Sequence, residues 1–205
     1  MKIAFLFTDY NYTNEGKYYI GIGSLSSYCK KRGHETALIH IKYPLSPKQL
    51  LQRIDIIKPD LIAASSISPT FKDIIHYLGI IKANHTIPVV IGGVHATLLP
   101  EETLNEPVCD FVCRGEGEKP LAQLADAIEK NEPFNKIENL WYKDGNKIVR
   151  NPVGPLIENL DILPFPDREL FEYARLDEVK YFNRATFMAS RGCPYNCTYC
   201  CNQIG

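Results

Sequence analysis

The sequence has no excess of charge of either sign and no long apolar segment. Lysine and arginine number 23 against 24 aspartate and glutamate, a formal net charge of −1, so nothing in the charge attracts a nucleic acid or an anionic membrane. No apolar run approaches the roughly 20 residues needed to cross a bilayer. The first run, 3–7, is too short for the core of a signal peptide. The sequence therefore predicts a protein without nucleic-acid or membrane partners.

Two phosphate-binding fingerprints are also missing. The first predicted strand is not followed by G-x-G-x-x-G, because Gly21 and Gly23 fall inside the first predicted helix. No G-x4-G-K-[ST] loop is present either. These absences weigh against a bound dinucleotide and against an ATP-binding P-loop.

The sequence does contain seven cysteines, and their spacing is not that of a disulfide framework. Three of them follow the pattern Cys193-x3-Cys197-x2-Cys200. Thiolates at this spacing can hold three irons of a [4Fe-4S] cluster and leave the fourth iron open to an outside ligand. Reduced thiols are typical of a reducing compartment, so we expect a cytoplasmic protein.

Other interpretations of these cysteines remain open. One alternative is that the three are ordinary reduced thiols, and another is that they form part of a zinc site. Zinc would require a fourth protein ligand, no histidine follows His95, and Cys201 is awkwardly adjacent to Cys200. We interpret Cys201 as a packing or spare thiol. The three remaining cysteines read as small buried apolar residues, Cys29, Cys109 and Cys113.

Short apolar runs alternate with amphipathic segments over the first 130 residues. The pattern predicts strands at 2–7, 34–41, 60–65, 88–91 and 110–113, and helices at 18–32, 46–58, 68–81, 100–105 and 118–130. Continuous apolar strands that alternate with helices are typical of a parallel sheet covered on both faces. We therefore predict an α/β fold, a flavodoxin- or Rossmann-like five-stranded parallel sheet with helices on both faces.

The pattern changes after this region. Residues 139–150 predict a β-hairpin around the turn Asp144-Gly145. A proline-rich segment follows, and 185–189 predicts a further strand that leads into the cysteines. We place a first domain at 1–150, a linker at 151–184, and the start of a second, truncated domain at 185–205.

Ligands of an open parallel sheet bind beyond the carboxyl ends of its strands. The loops after the third, fourth and fifth predicted strands supply our candidate binding residues: Ser65, Ser66, Gly92, Gly93, His95, Thr97, Gly115, Glu116 and Gly117. Glycines at a strand end let a ligand approach the backbone closely. Simpler readings are tight turns for the glycines, a hydrogen-bonded loop residue for His95, and carboxylates at a helix N-terminus for Glu116 and Glu118.

Two parts of the sequence together resemble a known family. The segment Met188-Ala-Ser-Arg-Gly-Cys193-Pro-Tyr-Asn-Cys197-Thr-Tyr-Cys200 is similar to the entry of the barrel of radical S-adenosylmethionine (SAM) enzymes. The loops Gly92-Gly93-Val-His95-Ala-Thr97 and Gly115-Glu-Gly117-Glu118 resemble the cobalamin-binding domain that precedes the barrel in one class of these enzymes. The chain thus resembles the N-terminal portion of a radical SAM enzyme with a cobalamin-binding domain.

The resemblance implies three cofactors. Cobalamin would bind the first domain, its nucleotide tail lined by Ser65, Ser66, Gly92, Gly93 and Thr97. Cys193, Cys197 and Cys200 would ligate a [4Fe-4S] cluster whose open iron binds and reductively cleaves SAM.

The resemblance also implies a C-terminal radical SAM barrel as partner, without which these residues would be inactive. The loop 8–16 lacks the histidine of the D-x-H-x-x-G motif, so it would place no ligand on cobalt. The competing hypothesis is a non-catalytic docking or sensing module of the same fold without a bound cofactor.

Overall fold

The computed structural model describes residues 1–9, 18–145, 147–181, 183–195 and 197–200. Within them, seven strands form one sheet in the order β2-β1-β3-β4-β5-β6-β7. The strands are β1 (Lys2–Thr8), β2 (Glu35–Ile41), β3 (Leu61–Ser65), β4 (Val89–Gly92), β5 (Phe111–Cys113), β6 (Leu140–Asp144) and β7 (Lys147–Arg150). Neighbours among β1 to β5 pair in parallel, which confirms the predicted sheet. The predicted hairpin, β6 and β7, extends the same sheet by antiparallel pairing with β5.

Helices follow the strands as the alternating pattern predicts. They are α1 (Ile20–Lys31), α2 (Pro47–Ile57), α3 (Ser68–Lys82), α4 (Val94–Leu98), α5 (Pro100–Asn105), α6 (Glu118–Lys130) and α7 (Asp177–Lys180). Three short 3-10 helices lie in the proline-rich segment, Leu160–Ile162, Glu169–Phe171 and Tyr173–Arg175. None of the described helices has the length and apolar character required to cross a bilayer.

The structure departs from the sequence prediction at two elements. The sequence predicts a loop after β4, but the segment contains the short helix α4. No described side chain hydrogen-bonds to the N-terminus of this helix, so its start has no capping signal in the sequence. The strand expected at 185–189 is absent from the described part of the chain. A strand requires a hydrogen-bonded neighbour, and the seven strands described pair only with one another.

Each face of the sheet carries its own core. Side chains alternate between the faces along β1, so that Ile3 and Phe5 point to one side and Ala4 and Leu6 to the other. The first side packs against α1, α6 and the segment around Phe171. The second side packs against α2, α3 and α5. The apolar strands are therefore buried on both faces, as expected for a parallel sheet.

The proline-rich segment 151–184, here called the connector, is fastened to α1 by one aspartate. The carboxylate of Asp167 accepts hydrogen bonds from Ser26 Oγ at 2.6 Å and from the Leu170 amide at 3.1 Å, and it pairs with Lys30 Nζ at 2.7 Å. The Asp167 amide also donates to the carbonyl of Gly23 at 2.9 Å. Burial would raise the pKa of Asp167, but these hydrogen bonds outweigh burial and hold it below its usual value.

Candidate functional site

A first cavity of about 380 Å³ lies where β3, β4 and β5 end, between the sheet and the helices α1 and α6. Its wall on the sheet side includes the small residues Ala63, Ser65, Gly92 and Cys113, together with Phe5 and Val90. Ser65 and Gly92 are register partners in β3 and β4, so the two face the same side of the sheet. The opposite wall includes Leu25 of α1 and Leu121 of α6. The result is a mainly apolar slot that opens at the carboxyl ends of the strands.

Gly93 borders this slot and has a structural reason to be glycine. Its backbone adopts a φ of 91°, and a Cβ atom placed on it would lie 2.6 Å from the Ser66 carbonyl oxygen and 2.8 Å from the Ser66 nitrogen. Ser66 is buried, and its Oγ donates to the carbonyl of Gly92 at 3.1 Å. Ser66 therefore joins the ends of β3 and β4 and does not line either cavity.

His95 also lies outside the cavity walls, although sequence analysis placed it among the candidate ligand contacts. Its ring stacks on Phe71 with the centroids 3.9 Å apart, and Nδ1 lies 3.0 Å from Ser68 Oγ. Burial lowers the pKa of His95 below its usual value, because the charged form loses its hydration, and the charge of Glu102 opposes this shift. The imidazole thus packs against α3, on the face of the sheet opposite the first cavity.

Thr97 links the loops after β4 and β5. Its Oγ1 donates to the carbonyl of Gly93 at 3.0 Å and accepts a hydrogen bond from the amide of Gly115 at 3.0 Å. Gly115 itself has a φ of 64°, the left-handed region that favours glycine. These contacts hold the two glycine loops side by side at the rim of the cavity.

Two carboxylates and one guanidinium close the rim. Arg191 Nη1 donates to Glu116 Oε1 at 2.9 Å, and Arg191 Nη2 donates to Glu118 Oε1 at 2.5 Å. Ser24 Oγ of α1 donates to the same Glu118 oxygen at 2.7 Å. Sequence analysis missed Arg191 and Ser24. The carboxylates of Glu116 and Glu118 in a strand-end loop indicate that a cation balances their charge. Their spacing in the sequence does not identify the residue that supplies this cation.

A second cavity of about 670 Å³ continues outward from the first. It lies between α4, the connector and the residues just before Cys193, and its walls include Val94, Thr97, Leu156 and Leu160. Both cavities share the same seven wall residues at their junction, Tyr19, Gly93, Gly115, Glu116, Ser190, Arg191 and Gly192. The two cavities are therefore neighbouring parts of one site.

The three cysteines of the predicted cluster lie beyond this site on an exposed segment. Cys193 is exposed, Cys197 and Cys200 are half-buried, and the Cys200 amide donates to the Cys197 carbonyl at 3.0 Å. The donor set suits an iron-sulfur cluster, because all three side chains are free thiols. Among the described residues, however, the three Sγ atoms do not come together as a ligand group. Cys201 lies outside the described residues.

The other described cysteines are buried, as the sequence predicts. Burial raises the pKa of the Cys113 thiol to about 12, and the charge of Glu118 adds to this effect. The wall of the first cavity thus carries a neutral thiol rather than a reactive thiolate.

One further group of potential metal ligands, His34, Asp126 and Glu129, lies near the N-terminus of β1. Asp126 Oδ2 pairs with Arg32 at 2.6 Å, and Glu129 pairs with the N-terminal ammonium at 3.0 Å. Cations of the protein already neutralise both carboxylates, so this group has no charge left to attract a metal ion.

Comparison with known proteins identifies the class to which this α/β domain and its strand-end site belong. The B12 binding domain family matches residues 18–125, more than half of the chain. The chain belongs to this family.

The relatives are larger proteins that the chain covers only in part. The uncharacterized methyltransferase PH0819 of Pyrococcus horikoshii is 32% identical over 190 residues, which is 90% of this chain and 40% of the relative. The anaerobic magnesium-protoporphyrin IX monomethyl ester cyclase of Rubrivivax gelatinosus is 30% identical over 189 residues, 87% of this chain and 34% of the relative. The chain thus spans less than half the length of these relatives.

Solved structures show the same fold. One is the cobalamin-dependent S-adenosylmethionine radical enzyme OxsB, with aqua-cobalamin and SAM bound. It superposes on this chain with a TM-score of 0.80 at 22% sequence identity, and the superposition covers 97% of this chain and 28% of OxsB. The radical SAM methyltransferase TsrM from Kitasatospora setae, with cobalamin and a [4Fe-4S] cluster bound, gives 0.72 at 17% identity over 98% of this chain and 41% of TsrM. The predicted relationship to cobalamin-binding-domain radical SAM enzymes is confirmed.

Proposed function

We propose that the first domain binds cobalamin with the nucleotide tail in the first cavity. The observation that carries the proposal is the row of small residues along one face of the strand ends, Ala63, Ser65 and Gly92, which leaves a slot between the sheet and two helices. The slot suits a flat heteroaromatic base, because its walls are mainly apolar. Ser65 Oγ offers a polar contact to the sugar or phosphate of the tail.

The corrin ring would lie over the second cavity, which is wider and opens at the rim. Tyr19, Val94 and Leu98 supply apolar surface there for the face of a large ring. None of the described residues that line the two cavities is a histidine. The loop 10–17 has no histidine in its sequence either, although its structure lies outside the described residues. The proposed complex therefore places no histidine on cobalt.

The proposal extends to a radical SAM reaction of a longer protein. When bound at Cys193, Cys197 and Cys200, a [4Fe-4S] cluster with one open iron supplies the electron that cleaves SAM reductively. The thiols would hold three irons, and the hydrogen bond from the Cys200 amide to the Cys197 carbonyl closes a turn between two of the three cysteines. A C-terminal barrel would complete the enzyme and carry the substrate pocket.

Relatives named as a methyltransferase and as a cyclase support methyl transfer or ring formation as the outcome of the reaction. A cytosolic location belongs to the same proposal, since the described cysteines are all free thiols.

Calorimetric titration with hydroxocobalamin under anaerobic, reducing conditions tests the cobalamin site. Gly92 is the informative position, because a Cβ placed there meets only Cys113, at 3.5 Å, while its side chain would enter the slot. We expect weak or moderate binding by the wild type and a dissociation constant at least about tenfold higher for Gly92→Val, because the slot becomes overpacked. Gly79→Val is the matched control, since Gly79 has no atom within 4 Å of its added Cβ and lines neither cavity.

Each alternative result has a defined meaning. Equal affinities of the wild type and Gly92→Val would place the nucleotide tail elsewhere. An absence of binding by the wild type would favour the docking or sensing module without cofactor.

A further inference from the structure

Four segments of the chain meet at the side chain of Arg191. It contacts Glu116 in the turn after β5, Glu118 at the start of α6, and Ser24 of α1, whose Oγ lies 3.2 Å from Arg191 Nη2. Glu116 uses its other oxygen to accept a hydrogen bond from the amide of Ile157 in the connector at 2.6 Å. Residues more than 160 positions apart in the chain are thus joined at one point.

The electrostatics of this point favour an arginine. Glu118 has only 4% of its side chain exposed and Glu116 17%, so both carboxylates have lost most of their hydration. The N-terminus of α6 stabilises Glu118 only in part. A planar guanidinium presents separate N–H donors to two carboxylates at once, which the point charge of lysine does not. Removing the cation would leave two poorly hydrated like charges beside each other.

The position of Arg191 in the sequence gives this contact a functional meaning. Arg191 precedes Cys193 by two residues, and it lies in the wall shared by the two cavities. Arg168 of the connector also holds the chain just before this segment, by donating to the carbonyl of Thr186 at 3.0 Å and by lying over the ring of Phe187. Within the described part of 187–200, the hydrogen bonds of Arg191 tie the cysteine segment to the strand-end rim.

We infer that Arg191 is a positioning residue that fastens the cysteine segment to the rim of the cobalamin cavity through Glu116 and Glu118, and so couples the placement of that segment to the ligand. The inference rests on the proposed function for the identity of the ligand and of the cluster. A ligand that fills either cavity must pack against the guanidinium. Coupling of this kind is reciprocal, so the bound ligand stabilises the placement of the segment.

Limited chymotrypsin digestion of the complete 205-residue chain, followed by mass spectrometry, measures this attachment. Cleavage after Phe187 and Tyr195 reports on the cysteine segment. Cleavage after Tyr142, a partly buried residue of β6 that lines neither cavity, reports on the rest of the fold. We expect Arg191→Gln to raise the ratio of segment to reference cleavage by at least about tenfold, the loss expected from hydrogen bonds to charged groups. Arg191→Lys should give a smaller increase, because one ammonium reaches a single carboxylate. Arg175→Gln is the control, since its ion pair with Glu172 is exposed and lies in the connector.

The outcomes separate the inference from the proposed function. Cleavage after Phe187 and Tyr195 that is no faster in Arg191→Gln than in the wild type would overturn the attachment. If cleavage after Tyr142 rises by the same factor as cleavage of the segment, the double variant with Glu116→Gln decides: non-additive effects support the attachment, and additive effects contradict it. Saturating hydroxocobalamin should lower the ratio in the wild type but not in Arg191→Gln, and an equal effect in both would contradict the coupling. A wild type that binds no cobalamin would defeat the proposed function, while the digestion without ligand would still test the attachment.

Discussion

At the scale of single residues, the neighbouring glycines at the end of β4, Gly92 in the strand and Gly93 just after it, have different roles. Gly93 is required by the left-handed backbone and by the close approach of Ser66, whereas Gly92 keeps the slot open. Gly93→Ala should lower the free energy of unfolding by about 1–3 kcal/mol, because the added Cβ meets backbone atoms. Gly92→Ala should change it by less than about 1 kcal/mol. Urea denaturation of the two variants checks this difference, and equal losses would contradict the separate roles.

The buried imidazole of His95 gives the fold a specific pH dependence. The pKa of His95 is lowered in the folded chain from its usual 6.5, so the folded state favours the neutral ring. This contribution to stability is complete above about pH 6.5 and is lost as the pH falls through the lower, folded value. We expect unfolding free energies measured from pH 7.5 to 5 to fall less steeply in His95→Gln than in the wild type. Identical slopes would show that His95 is not buried as described.

The sequence predicts which residues lie around the first cavity better than it predicts the direction in which their side chains point. Small residues at strand ends and the loop glycines follow from the strand pattern alone, and they do line the first cavity. Which way His95 points depends on Phe71 and Ser68 of α3, and the partners of Arg191 are more than 70 positions away. Local patterns do not carry such long-range contacts.

At the scale of elements, Asp167 is the main attachment of the connector to α1. It joins Ser26, Lys30 and the backbone of Leu170, and it is 7% exposed. Asp167→Ala should lower the free energy of unfolding by about 1–3 kcal/mol, because Ser26 and Leu170 lose their acceptor. Asp161→Ala, at an exposed aspartate of the same connector, is the control and should be near neutral. Denaturation curves that coincide for the two variants would contradict this role of Asp167.

Elements with strong local signals are predicted well, and those without them are not. The capping box of α2, formed by Ser46 and Gln49, and the proline that follows Ser46 mark its start in the sequence. The five-residue helix α4 has no such cap, so the glycine pair before it indicated only a loop. The apolar run at 185–189 has strand character but no partner strand among the described elements.

At the scale of the whole molecule, the hairpin completes the sheet rather than beginning a separate unit. β6 pairs with β5 in the register Phe111 with Tyr142 and Cys113 with Leu140. The hairpin itself was predictable from its turn, but its docking on β5 was not, because α6 and a further segment separate the two in the chain. The domain limits at residues 150 and 184 remain a prediction.

The cysteine segment leads to a prediction about these 205 residues in isolation. Its three thiols are exposed or half-buried and do not form a ligand group among the described residues. We expect anaerobic reconstitution to yield no stoichiometric cluster, because little of this chain buries the segment. Iron and sulfide analysis checks the prediction, with the triple variant Cys193→Ser, Cys197→Ser, Cys200→Ser as the control. A stoichiometric, SAM-binding cluster in the wild type would contradict it.

In the proposed complex, cobalamin binds with its nucleotide tail in the first cavity and with no histidine on cobalt. Electron paramagnetic resonance of cob(II)alamin, with the protein in excess, tests it most directly, because nitrogen on cobalt splits the cobalt lines. The predicted spectrum has no such splitting, since the tail lies in the slot and none of the described cavity residues is a histidine. Nitrogen splitting, whether from a histidine or from the cofactor's own base in unbound cobalamin, would contradict the account.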